Sequence, residues 1–233
     1  MNGNMERDII IKQIILVTGE KSNVEGDSAK VAIKAYQSGI IVNTIRIIDK
    51  KHTGAGAEKR ARNLKDTGNA ENASDKIRHI AKAGGGSYER IYVDELFQAM
   101  RNLIHKIVNK TLKNVVNEQL KEMIGEDIDS MEPEFRKKML NYIDKFSDYA
   151  EIRCCILLDR SKSMADRIHI ARHSISDLMH SFNDRKGRAD IRVVVFSTSV
   201  TLAIEKAIGL INESNIIRFA DSGGTAVNEY NLL

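Results

Sequence analysis

A chain of 233 residues with 42% hydrophobic content can bury one large core or two small ones, and 36 basic against 32 acidic residues leave a net charge of only +4. The basic residues are scattered rather than massed, so nucleic acid is not the expected partner. The opening MNGNMERDIIIKQIILVTGE lacks the order of a signal peptide, and its apolar part is shorter than the about 20 residues of a membrane span, so a cytoplasmic protein with no membrane association is expected.

Residues 12–18, KQIILVT, form an apolar run with β-branched bias and predict a strand, and EGDSAKVAIKAYQSG predicts a helix with Val31, Ile33 and Tyr36 on its apolar face and Gly39 as its stop. IIVNTIRII (40–48) predicts a second strand. The polar stretch from Asp49 to Asn69 reads as an exposed loop. Its GAGAEK fits no phosphate-binding glycine pattern, and Lys50, Lys51, His52, Lys59, Arg60, Arg62 and Lys65 give it a positive face suited to an acidic partner. NASDKIRHIAKAGGG predicts a helix closed by Gly84, Gly85 and Gly86, and SYERIYV a third strand. Strand and helix thus alternate as in a parallel sheet covered on both faces.

From Asp94 the pattern is helical, with Leu96, Met100, Leu103, Ile107, Val108, Leu112, Val115 and Leu120 at three and four spacing, as one long helix or two end to end. Such a stripe suits core or helix-pair packing. Asp127 to Glu132 interrupts it, and Pro133, the only proline, fits the first turn of PEFRKKMLNYIDKFSDY. After Glu151 the alternation returns: IRCCILLD as a strand, MADRIHIARHSISDLMHSF as a helix, ADIRVVVFST and VTLAIEKA as strands, and LINESNIIRFAD as a short helix before SGGTAVNEYNLL. The two cysteines, Cys154 and Cys155, are adjacent in an apolar strand and point to opposite faces, which suits buried thiols in a reducing compartment and not a disulfide. His79, His105, His169, His173 and His180 share no metal-ligand spacing with acidic residues.

The chemistry concentrates in LLDRSKSM. Asp159, Ser161 and Ser163 follow a core strand at two-residue intervals, in a loop at the carboxyl end of the strand, where open α/β sheets bind ligands. One carboxylate with several hydroxyls suits a hydrated Mg2+ or Mn2+ ion that takes its last ligand from a partner. The same residues also suit a polar strand end that caps the next helix. An enzymatic alternative makes Asp159 a phosphoryl-accepting nucleophile of a phosphohydrolase, but such enzymes carry a second Asp two residues on, where Ser161 stands.

LLDRSKSM, with the later SGGTAV, resembles the Asp-x-Ser-x-Ser and Gly-Gly-Thr loops of von Willebrand factor A domains. The resemblance implies a metal-ion-dependent adhesion site with Ser161, Ser163 and Thr225 as direct ligands and Asp159 acting through water. QIILVTGEKSN, QSGIIVNTIRII and IRHIAKAGGGSYERIYVDELFQAM are similar to the family's fourth, fifth and sixth strands with their helices, so the order is permuted. Where the family has its third-loop Asp, Gly19 stands, followed by Glu20, whose longer stem is the candidate replacement. Gly-Gly-Thr opens a helix in the family, whereas only AVNEYNLL follows Thr225 here, so that helix is expected to be truncated or lost. The arrangement also resembles small proteins of spore-forming bacteria whose chains run in the same order.

The implied fold is a doubly wound, mostly parallel α/β sheet of order 3-2-1-4-5-6. Residues 10–107 supply strands four to six, 108–150 a helical connector, and 151–233 strands one to three with the metal motif, the two halves joined in one permuted domain. The implied function is a non-enzymatic protein-interaction module that binds an acidic residue of a partner through the ion. The alternative is a metal-free scaffold acting through the connector helices.

Overall fold

All nine residues of IIVNTIRII are buried, which only a strand covered on both faces and paired on both edges can achieve. The computed structural model describes residues 10–19, 27–48, 67–92, 95–147, 149–182, 186–197, 199–212 and 226–231. In chain order these form β1 (Ile10–Thr18), α1 (Ser28–Gln37), β2 (Ile40–Ile48), α2 (Thr67–Ala83), β3 (Gly85–Tyr92), α3 (Leu96–Ile124) and α4 (Pro133–Ser147). There follow β4 (Glu151–Asp159), a 3-10 turn (Lys162–Met164), α5 (Ile168–Phe182), β5 (Ala189–Phe196), α6 (Val200–Asn212) and β6 (Ala226–Asn231).

The six strands make one sheet of order β3-β2-β1-β4-β5-β6, and every pairing is parallel. It is a doubly wound, Rossmann-like α/β fold. The chain winds outward from β1 in one direction and from β4 in the other, so the winding reverses between these two strands. They pair directly, with Ile10 opposite Glu151 and Val17 opposite Leu158. The strands predicted at 12–18 and 152–158 therefore lie side by side at the centre of one continuous sheet.

Alternating strand residues feed two separate layers of core. Ile11, Ile15 and Val17 of β1 with Ile152, Cys154, Ile156 and Leu158 of β4 pack under Leu112 of α3, Ile143 of α4 and Ala171 and Ile175 of α5. Ile14, Leu16, Cys155 and Leu157 pack on the other face with Val31, Ala32 and Ala35 of α1, Ile80 of α2 and Ala203, Ile204 and Ala207 of α6. Six helices, among the described residues, thus cover the sheet three to a face.

The helix stripe starting at Leu96 is one unbroken helix of 29 residues, so the predicted boundary at 107/108 falls inside it. Leu112 is buried, and Val116 and Leu120 pack against the first layer. The predicted connector is therefore part of the cover. It also outruns the sheet: at 1.5 Å per residue it spans about 43 Å, against about 30 Å for a nine-residue strand. Near its far end Glu118 accepts a hydrogen bond from the hydroxyl of Tyr36, the side chain of α1, at 3.3 Å.

Two local expectations are corrected. VTLAIEKA is not a strand but the start of α6, because Val200, Ala203, Ile204, Ala207, Leu210 and Ile211 recur at helical spacing and are all buried. Residues 226–231, which carried no predicted element, form an edge strand, β6, parallel to β5. On α1 the buried face is Ser28, Val31, Ala32 and Ala35, while Ile33 and Tyr36 are exposed. The predicted polar loop shortens too, since α2 begins at Thr67, and residues 49–66 lie outside the described residues.

The three glycines do end a helix. The N–H of Gly84 donates to the Ile80 carbonyl at 2.9 Å, and Gly85 turns the chain with φ of 66°. Gly86 then brings β3 against β2 so closely that a Cβ there would stand 2.2 Å from the Val42 carbonyl oxygen.

Cys154 and Cys155 are buried in opposite layers and unbridged. Burial pushes the Cys155 thiol up to about 12 and Cys154 well above its ordinary value. Both thiols keep their protons in the folded chain, whereas unfolding lets them ionise near 9. The stability this represents is full below pH 9 and declines as pH rises toward 12, with a limiting slope of about 1.4 kcal/mol per pH unit per thiol. Urea melts on either side of pH 9 should show that decline, and Cys155→Ala should flatten it.

Candidate functional site

Asp159 is the last residue of β4 and Thr18 the last of β1, each projecting from the sheet on the side of α1 and α6, alongside Leu16 and Leu157 of the second layer. At the reversal point they meet: the Thr18 hydroxyl donates to Asp159 Oδ2 at 2.8 Å in a buried contact. The other carboxylate oxygen, Oδ1, accepts the backbone N–H of Ser161 at 2.7 Å. Asp159 is only 2% exposed, so these two donors are what permit the carboxylate at the floor of the crevice. Each oxygen retains a second lone pair with which to orient water.

The loop after Asp159 is fixed at several points. The Arg160 N–H donates to the Phe196 carbonyl at 2.7 Å, tying the loop to the end of β5. Ser161 has extended geometry (φ −61°, ψ 166°) and its carbonyl accepts from Met164 N at 2.8 Å, which closes the 3-10 turn. The Met164 side chain is fully buried in the first layer and anchors that turn. Ser161 makes no side-chain cap to the 3-10 turn, and the Asp159 carboxylate holds the start of the loop through the Ser161 N–H.

Two helices begin beside the crevice because each follows a strand that ends there. Ser28 at the start of α1 and Thr201 at the start of α6 share a hydrogen bond between hydroxyls at 2.8 Å. The two halves of the chain are thus joined at the crevice both by Thr18 with Asp159 and by Ser28 with Thr201. Gly19, which follows Thr18, is buried. The rim carries Arg160 and Lys162, both exposed, and Arg167, with Asp166 as its one carboxylate among the described residues of that loop.

Of the predicted metal residues, the structure places Asp159 and Ser161 in direct contact, and Ser163 on the 3-10 turn two residues further. Glu20 and Thr225 lie outside the described residues. Among the described residues no group of three or more His, Cys, Asp or Glu side chains could hold a metal ion. What the described residues show there is one buried carboxylate beside the threonine hydroxyl that donates to it. Sequence reasoning missed Thr18. Nothing local marks a threonine at a strand end, and its meaning depends on a partner 141 residues away.

No family model matches the chain. It is 28% identical over 188 residues to the uncharacterized protein YabS of Bacillus subtilis (strain 168), covering 80% of this chain and 70% of that one. Its fold is similar to the crystal structure of an uncharacterized protein from Alicyclobacillus acidocaldarius subsp. acidocaldarius DSM 446, at TM-score 0.69 and 24% identity over 87% of this chain and 94% of the other. No helix among the described residues is long and apolar enough to cross a membrane.

Proposed function

We propose that the protein is a von Willebrand factor A-like binding module with permuted strand order, which takes an acidic residue of a protein partner at the crevice between β1 and β4. The observation that carries this reading is the Thr18–Asp159 hydrogen bond, which holds a carboxylate ready at the point where the winding reverses. Ser161 and Ser163, with Thr225 and Glu20 as the remaining candidates, would hold a Mg2+ or Mn2+ ion there, and Asp159 would orient its water. The ion would supply an open coordination position for a partner carboxylate. Arg160 and Lys162 on the rim would draw the same acidic group in. A buried carboxylate already engaged through both oxygens, with serine two residues on, favours binding over phosphoryl transfer. Two buried free thiols suit a cytoplasmic setting.

The test is thermal unfolding with and without millimolar magnesium or manganese. A ligand that binds only the folded state must raise the melting temperature. A rise of several degrees with manganese, absent in Asp159→Asn, supports the reading. An unchanged melting temperature with either ion, in a chain stripped by chelator, removes the metal from it and leaves the scaffold alternative.

A further inference from the structure

The apolar residues of β1 do not by themselves fix its register. Alternation sends Ile11, Ile15 and Val17 into the first layer and Ile14 and Leu16 into the second. A slip of one residue would turn the faces over, but a slip of two keeps each set on its own side. Branched apolar side chains would then still face branched apolar side chains along most of the strand. What such a slip displaces is Gln13 on one face and Thr18 on the other.

Gln13 is fully buried on the first-layer face, where a polar side chain is costly. Its Oε1 accepts from Asn43 Nδ2 at 3.5 Å, while its own Nε2 is buried with no hydrogen-bond partner among the described residues. Asn43, also buried, is committed on its other side. β3 sets two residues, Gly86 and Ser87, against the single Asn43 of β2, and at this bulge Asn43 Oδ1 accepts the Ser87 N–H at 2.9 Å. The Asn43 amide is therefore tied to β3, and β1 meets it with an acceptor only where Gln13 stands opposite Cys154. Moved by two residues either way, β1 would present Ile11 or Ile15 at that place. A leucine at position 13 would fill the core without an unpaired group, so the amide serves the choice of register and not the packing.

The same slip dismantles the crevice. A displaced β1 would set Leu16 against Asp159, or carry Thr18 back to Leu157, and in either case the buried carboxylate loses the hydroxyl that donates to it. We infer that Gln13 and Asn43 are positioning residues for the crevice: their amide pair holds β1 in the register that delivers Thr18 to Asp159. Thr18 with Asp159 opposes the same slip from the other face, so the strand is marked once on each side. This role requires no ion and is independent of what the crevice binds.

The test is nuclear magnetic resonance of the full chain with labelled isoleucine, leucine and valine methyl groups. Gln13→Leu with Thr18→Val leaves β1 without either mark. This double variant is expected to fold and to show more than one set of methyl signals for Ile11, Ile14, Ile15 and Leu16, against a single set in the unaltered chain and in each single variant. Asn43→Leu with Thr18→Val should do the same. Gln13→Leu with Thr18→Ser, which returns the hydroxyl, is expected to restore the single set. Side chains that only add stability would lower the melting temperature of the double variant and leave one set of signals, and that result overturns the inference. So does a Gln13→Leu, Thr18→Val chain that does not fold, because the two side chains would then hold the sheet together rather than choose its register.

Discussion

Asp159→Ala is expected to lower stability by about 3 kcal/mol in metal-free buffer, while Asp159→Asn costs less than about 1 kcal/mol. Alanine strips the acceptor from two donors in a buried pocket, the Thr18 hydroxyl and the Ser161 N–H. Each hydrogen bond to a charged group is worth about 1.5–3 kcal/mol, and the relief of desolvating the carboxylate offsets part of the sum. Asparagine keeps the shape. Its Oδ1 can still accept from Ser161, and its amide can donate to Thr18 Oγ1, because a hydroxyl serves equally well as acceptor. Urea melts of the two variants in chelator check this. The pair then isolates the charge: if both variants fold but neither is stabilised by manganese, the carboxylate matters for the ion and not only for the loop. Were asparagine as damaging as alanine without metal, the fold itself would depend on the negative charge.

Division of the chain between Gly125 and Glu126 is expected to give two fragments that fail to fold separately and regain native structure when mixed. The cut falls in the exposed bend that ends α3, where Gly125 has φ of 77° and no neighbour within 4 Å of a Cβ. The amino-terminal fragment would hold β1, β2 and β3 with the β4-facing edge of β1 unpaired, and the other fragment would leave the β1-facing edge of β4 open in the same way. Both edges are apolar and belong to the middle of the sheet, so each is an aggregation surface. The first core layer is shared as well, because Leu112 from one fragment and Ile156, Ala171 and Ile175 from the other form a single cluster. Near-ultraviolet circular dichroism and size exclusion of the fragments, singly and mixed, provide the readout. A cooperative melt from either fragment alone would show that the halves are separate domains.

How much of this was legible depended on whether the signal was local. Strands β1, β2 and β4 could be read because buried parallel strands are continuous apolar runs, and IIVNTIRII matches β2 residue for residue. The start of α6 misled because Val200, Thr201 and Ile204 favour strands by propensity, while the helical period shows only when Ala207, Leu210 and Ile211 are included. Ile33 and Tyr36 misled in the opposite way. Their size suggested the core face of α1, but it is the small Ala32 and Ala35 that let the helix approach the sheet. At the crevice, the Asp-x-Ser-x-Ser spacing marked Asp159 and Ser161 because it lies within one loop. Thr18 could not be marked, since nothing near it in the chain distinguishes it from any threonine ending a strand.

The separation of 141 residues between Thr18 and Asp159 has a further consequence, for the time course of folding. The βαβ units on either side close over short spans, whereas the central β1–β4 pair closes a loop through most of the chain and carries the largest entropic cost of any contact in the sheet. During synthesis β1, β2 and β3 emerge with their helices long before β4 exists to cover the inner edge of β1. The nascent chain therefore carries an open apolar strand until the ribosome has released residue 159. The crevice is complete only once β4 and then α6, which brings Thr201 to Ser28, have followed, so a chain that stalls earlier lacks it.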